Sequence, residues 1–242
     1  MENKDQIEPC GRALLHYFYG DLSAEVSWRP DNGTCGSLPV QFFFRSQSEL
    51  SRIEQLALEQ SAGPVLDVGA GAGLHALALQ DRGVEVVALD ISEHAVAVMR
   101  NRGVTDVWCG DVLNFKGGPF KTVLMLWHGL GVVGDLQGLD RFLAHARTLI
   151  AGEGQILADS LDLRKAVDDQ YRADRRRTGT SLRYFGEIRM QFEYQGKAGP
   201  LFSVLHVDPR TLEAHASRLG WRTQVLTSES NGDYLVRLTR SE

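Results

Sequence analysis

Three acids and three glycines carry the chemistry legible in this chain. Asp67 precedes Gly69, Gly71 and Gly73 in the run Asp67-Val68-Gly69-Ala70-Gly71-Ala72-Gly73-Leu74, and Asp90 and Asp111 close later apolar runs. A glycine has no Cβ, so the backbone can turn sharply there and a ligand can come close to its N–H groups. Asp67 lies within an apolar stretch where packing alone would select an aliphatic side chain, so it needs a polar partner or a task. A carboxylate at a strand tip can accept hydrogens from both hydroxyls of a ribose. These types and spacings point to a nucleotide-like ligand.

The elements that must position them follow from periodicity. Val65 to Val68 reads as a buried parallel strand, and Leu74 to Leu79 as the helix that directs free N–H groups back toward the loop. Val84 to Leu89 reads as a second strand ending in Asp90, 17 residues after Gly73, and Val104 to Cys109 as a third, followed by Gly110-Asp111-Val112. A dinucleotide fingerprint would need glycine or alanine where Leu74 stands. The acid followed by G-x-G-x-G instead resembles the first motif of the class I S-adenosylmethionine-dependent methyltransferases, and the match extends over about residues 62 to 160.

That resemblance implies S-adenosylmethionine as cofactor and S-adenosylhomocysteine as product. It assigns the first motif to Asp67, Gly69, Ala70, Gly71, Gly73 and Leu74, the ribose to Asp90 beside Ile91, and the adenine to Asp111 and Val112. Trp127 joins the cofactor set, and Arg45 is a candidate partner for the methionine carboxylate through a bidentate contact, against the plainer reading of a surface ion pair. The implied fold is α/β, a Rossmann-like doubly wound seven-stranded mostly parallel sheet with an antiparallel last strand and order 3-2-1-4-5-7-6, with an N-terminal helical lid and a β-hairpin insertion.

The rest of the chain keeps this rhythm. Lys121 to Trp127 reads as a fourth strand, Asp135 to Leu149 as an amphipathic helix ended by Gly152, and Gln155 to Ser160 as a fifth strand. Asp162 to Arg177, with its Arg175-Arg176-Arg177 run, reads as an exposed helix, and Ser181 to Tyr194 with Leu201 to Val207 as an added hairpin. Asp208-Pro209 opens a last helix, and two strands flank the Asn231-Gly232 turn. Residues 1 to 60, the densest in aromatics, are expected to form a substrate-covering lid, with Ser48 to Gln60 helical. Residues 61 to 242 are expected to form the cofactor-binding domain, with an insertion at about 162 to 207.

Methyl transfer from a sulfonium is an in-line displacement in which the protein mainly aligns the partners. His128, just beyond the fourth strand, is the candidate base or substrate ligand, against a loop histidine bonded to backbone. Asp159-Ser160-Leu161-Asp162 either faces the substrate chamber or caps the next helix. Tyr17, Tyr19 and Trp28 either enclose the substrate or belong to the core. The Asn/Asp-Pro-Pro-Tyr/Phe motif of enzymes acting on amide or base nitrogens is missing after the fourth strand, which lowers those substrates. Pro9-Cys10 lies before the first motif and is not read as a nucleophile.

Composition bounds the remainder. With 242 residues, a net charge of −5 and three cysteines lacking C-x-x-C spacing, the chain fits one α/β domain with an appendage and no metal site. Its acidity, with a pI near 5.8, argues against a nucleic-acid partner. The polar N-terminus and the lack of a long apolar run lead to the expectation of a cytoplasmic, bacterial, membrane-free enzyme acting on a small molecule. The rival readings are an NAD(P)-dependent oxidoreductase and a non-catalytic module that binds S-adenosylmethionine.

Overall fold

Helix α1 (Lys4–Phe18) leads into two short strands, β1 (Glu25–Pro30) and β2 (Gly36–Pro39), that pair antiparallel. The computed structural model describes residues 4–31, 35–167, 171–173 and 183–241. Two 3-10 turns, Val40–Phe44 and Gln47–Glu49, precede α2 (Arg52–Gln60), whose start is fixed by a capping box between Ser51 and Glu54.

The large sheet begins at β3 (Val65–Val68) and alternates with helices: α3 (Leu74–Gln80), β4 (Val86–Asp90), α4 (Glu93–Arg102), β5 (Asp106–Cys109), β6 (Phe120–Met125), α5 (Leu136–Leu149) and β7 (Ile150–Leu161). Ser92 caps α4 by accepting from the Ala95 N–H, and Asp135 caps α5 by accepting from the Gly138 N–H. A short turn of helix, α6 (Leu163–Ala166), leads away from the sheet. After it come β8 (Glu187–Tyr194), β9 (Lys197–Ala198), β10 (Phe202–Leu205), α7 (Pro209–Arg218), β11 (Trp221–Ser228) and β12 (Asp233–Arg240).

The seven strands lie in the order β11-β12-β7-β6-β3-β4-β5, and β12 runs antiparallel to both of its neighbours. Strand alternation divides the core into two layers. Leu66, Val123 and Met125 pack with Phe142 of α5 and Leu212 of α7, whereas Val65 and Leu124 pack with Ile53, Leu79 and Met99 from α2, α3 and α4. Both faces of the sheet are therefore covered, and the C-terminal tips of the parallel strands β3, β4, β5, β6 and β7 lie along one open edge, which antiparallel β12 meets with its first residue, Asp233.

The appendage differs from its sequence reading. The first 60 residues are not only helical: β1 pairs with β8, so the N-terminal segment and the 162–207 insertion form one second sheet, β10-β8-β1-β2, with β9 on β8. Its strands are short, and β1 meets its partner more than 150 residues downstream, so local periodicity carries no trace of the pairing. Gly152 does not end α5; the helix stops at Leu149 and β7 starts at Ile150 and runs through the glycine. The helix expected over 162–177 is described only as α6 and at 171–173, and Arg175-Arg176-Arg177, Ser181 and Leu182 lie outside the described residues.

Candidate active site

The C-terminal tips of β3, β4, β6 and β7 open into a single cavity of about 1480 Å³ whose other wall is α1 and the second sheet. Gly69 and Gly71 line it, as do Asp90, Ile91, Asp111 and Val112 from the second and third tips. Gly71 has φ +57°, and a Cβ there would stand 3.5 Å from Phe43, at the floor of the groove. Its N–H donates to Oδ2 of Asp90 at 2.9 Å, while Oδ1 of Asp90 accepts from the Ser92 N–H at 2.8 Å. The glycine loop and the second-strand acid are thus locked together. Each Asp90 oxygen keeps a lone pair for a ligand hydroxyl. Burial raises the Asp90 pKa against those backbone donors.

The remaining first-motif residues stand behind this surface. Gly73 has φ +81°, and a Cβ there would lie 2.8 Å from Val104, so it serves helix packing. Ala70 and Leu74 belong to the core layer under α3, and none of the three lines the cavity. Asp67 is buried at the root of the loop, and its Oδ2 has no hydrogen-bond partner among the described residues. Burial is the main reason its pKa is pushed up to about 6, with His75 opposing and Asp90 adding to the rise.

At the cavity's other end the backbone is held in an uncommon conformation. Trp127 and His128 have φ of +67° and +56°, two consecutive non-glycine residues in the left-handed region. Each such residue costs on the order of 1–3 kcal/mol and persists where the surroundings hold it. Here the Gly129 N–H donates to Asp159 at 3.1 Å and the Gly131 N–H to the His128 carbonyl at 2.7 Å. Nε2 of His128 pairs with Oδ1 of Asp233 at 2.9 Å, and the amide of Asn231 holds the other oxygen of Asp233 at 2.7 Å. His206 stands edge-on to His128, with ring centroids 5.2 Å apart.

Two opposite effects act on these histidines. Burial alone would lower the His128 pKa, but the hydrogen bond to Asp233 and the charges of Asp159 and Asp233 outweigh it and raise the value. His206 has no such bond; burial, aided by His128, pushes it down to about 4, and its Nδ1 has no partner among the described residues. Asp233 and His206 were missed from sequence. Asp233 starts β12 just after the Asn231-Gly232 turn, but nothing in the sequence links it to His128, and His206 follows β10 with no motif around it.

The other candidates divide. Asp159 and Leu161 line the cavity, whereas the Ser160 hydroxyl accepts from the Val207 N–H and Asp162 caps α6. Arg45 lines the cavity but already binds Glu54 at 3.0 Å and the Phe42 carbonyl at 2.7 Å; Glu54 also holds His75 at 2.9 Å. Trp28 lines the cavity, Tyr17 packs on Phe44 with ring centroids 4.7 Å apart, and Tyr19 is 71% exposed. Cys10 also lines it, but burial and then the charge of Asp90 push its thiol up to about 12, so it stays protonated. Among the described residues no cluster of ligands suited to a metal ion is found, and no helix is long and apolar enough to cross a membrane.

Known proteins share this fold. A family model described as a methyltransferase domain matches residues 65–154. A solved S-adenosylmethionine-dependent methyltransferase from Bacteroides fragilis, in complex with S-adenosyl-L-homocysteine, is 32% identical, with a TM-score of 0.87 over 99% of this chain and 97% of the other. The CcbJ methyltransferase from Streptomyces caelestis is 14% identical, with a TM-score of 0.58 over 78% of this chain and 89% of its own. A sugar N-methyltransferase from a Streptoalloteichus species is 14% identical, with a TM-score of 0.55 over 84% and 92%. These last two share the fold alone. No curated protein sequence matches the chain.

Proposed function

The chain belongs to the class I S-adenosylmethionine-dependent methyltransferases, and from that membership we propose that it methylates a small-molecule acceptor with His128 as the base. S-adenosylmethionine, when bound, supplies a methyl group already activated by the sulfonium charge. The residues present suit that ligand. Asp90 keeps lone pairs for a ribose diol, Asp111 and Val112 border the position expected for the adenine, and Gly69 and Gly71 leave room for the chain between them. Arg45, steered by Glu54, keeps N–H donors for a carboxylate. Asp67 retains an unsatisfied oxygen at the root of the loop. Gly73, Ala70 and Leu74 take the supporting part, by fixing where α3 begins. Trp127, edge-on against Phe43 with ring centroids 5.0 Å apart, lines the cavity between the two ends.

One observation carries the reading: the cavity is continuous from Asp90 and Asp111 to the His128–Asp233 pair. A single ligand needs roughly 300–1,000 Å³, so the space accommodates a second molecule beside the first. Asp233 accepts the Nε2 proton and so fixes the tautomer in which Nδ1 is the basic atom. The second sheet and α1, taken as a lid over residues 1–60 together with the insertion, exclude water from the transfer. Small acceptors suit a cavity of this size better than a nucleic acid.

A melting experiment tests the cofactor half. S-adenosylhomocysteine at a hundredfold excess over its Kd should stabilise the protein by about 2.7 kcal/mol, and NAD should not shift the transition. For the acceptor half, His128→Ala should keep S-adenosylhomocysteine affinity and lose turnover of any acceptor found with labelled S-adenosylmethionine. Equal turnover in that variant would remove the base from the reading.

A further inference from the structure

The acceptor end of the cavity has two unlike walls. On the second sheet, Ile188, Met190 and Phe192 alternate along β8 and line the cavity, and their cross-strand partners Val204, Phe202 and Trp28 line it too. All six are only half-buried, so the protein leaves an apolar and aromatic face partly open beside the reaction centre. On the side of the large sheet lie His128 and three acids, Asp159, Glu229 and Asp233, and His206, just past β10, stands edge-on to His128 where the two walls meet.

We infer that the acceptor is an uncharged, flat, largely apolar molecule bearing a hydroxyl of the phenol kind, lying against the Trp28–Phe192 face with its oxygen toward His128. This rests on the methyl-transfer reading above. An aromatic body gains both area and ring contacts on that face, whereas a polyhydroxylated sugar would find few partners among isoleucine, methionine and phenylalanine. The charges of Asp159 and Asp233, which act on His128, repel an anionic acceptor at that end. They would hold an amine as its ammonium ion, with its lone pair occupied by a proton. A neutral hydroxyl fits both constraints, and it is also the nucleophile that needs a base, since transfer without proton loss would leave a positively charged oxygen. In the step itself, the hydroxyl oxygen takes the methyl group as the carbon–sulfur electron pair leaves with sulfur, and Nδ1 of His128 takes the hydroxyl proton. The resulting imidazolium is stabilised by Asp233 and Asp159.

The test uses the full chain saturated with S-adenosylhomocysteine and a matched set of probes: naphthol, naphthylmethylamine, naphthoate and a neutral hexose. Calorimetry should show naphthol binding at least about tenfold tighter than naphthoate or the hexose, and labelled S-adenosylmethionine should methylate naphthol on oxygen while leaving naphthylmethylamine, held as its ammonium ion, unmethylated. Trp28→Ala and Phe192→Ala should each weaken naphthol roughly tenfold while S-adenosylhomocysteine affinity stays within about twofold, which also reports a folded protein. Trp28→Leu, apolar but without the ring, should fall between the wild type and Trp28→Ala. Equal or tighter binding of the acid or the hexose overturns the inference, as does methylation of the amine or naphthol affinity indifferent to Trp28. Failure to bind S-adenosylhomocysteine would overturn the methyl-transfer reading instead, so the two failures are distinguishable.

Discussion

At the scale of single residues, the pairing of His128 with Asp233 has a consequence that needs no acceptor to observe. The aspartate raises the imidazole pKa against burial, so Asp233→Asn should drop it, because burial stays while the hydrogen bond to a charge is lost. A nuclear magnetic resonance titration should place His128 above its ordinary value of about 6.5 in the wild type and below it in the variant. If an acceptor is in hand, the rising limb of the rate against pH should move to lower pH in the variant while the plateau falls. An unmoved titration would return Asp233 to a turn residue. Asp90 offers a second check. Asp90→Ala should weaken S-adenosylhomocysteine by about 1–3 kcal/mol in calorimetry, and Asp90→Asn by less, since it keeps an acceptor for one hydroxyl. Asp90 and His128 were legible in the sequence because each ends an apolar run. Asp233 was not, because a partner 105 residues away leaves no local pattern.

At the scale of elements, the glycine loop separates two tasks that its sequence presents as one. Gly71 borders the cavity, whereas Gly73 is pressed against Val104 and Met99. Gly73→Ala should therefore cost stability, about 1–3 kcal/mol from crowding and backbone strain, or a melting decrease of roughly 3–10 °C in a chain of this size. Gly71→Ala should lower the melting temperature less and weaken S-adenosylhomocysteine more. Equal ratios of the two effects in both variants would contradict this division. The strand, glycine loop and helix were readable because capping residues, apolar periodicity and turn glycines all agree locally. The second sheet was not, since Pro30 and Gly36 blur the alternation of β1 and β2 and their partner β8 comes from the far end of the chain.

For the molecule as a whole, buried titratable groups in the cavity wall set how stability responds to acid. His206 is held down to about 4, so the unfolded chain binds a proton as pH falls through about 6.5 while the folded protein does not. Its contribution is fully present above pH 6.5 and is lost as pH falls toward 4. Asp67, held up to about 6, acts the other way in the same range, because the folded form takes up its proton before the unfolded form does. Melting curves in pH steps should show Asp67→Asn losing stability more steeply than wild type between pH 6 and 4, and His206→Gln less steeply. Parallel curves would mean that neither group is buried in solution as it is here.

The seam between β1 and β8 joins Ser27 to Glu193. A ribosome adding about 5–20 residues per second releases the second of these roughly ten to thirty seconds after the first. During that interval Trp28 lacks the strand that completes its sheet, and the aromatic turn Val40–Phe44 beside it is already synthesised. The large sheet closes later still, because β12, which carries Asp233 and pairs with β7, follows β8 in the chain.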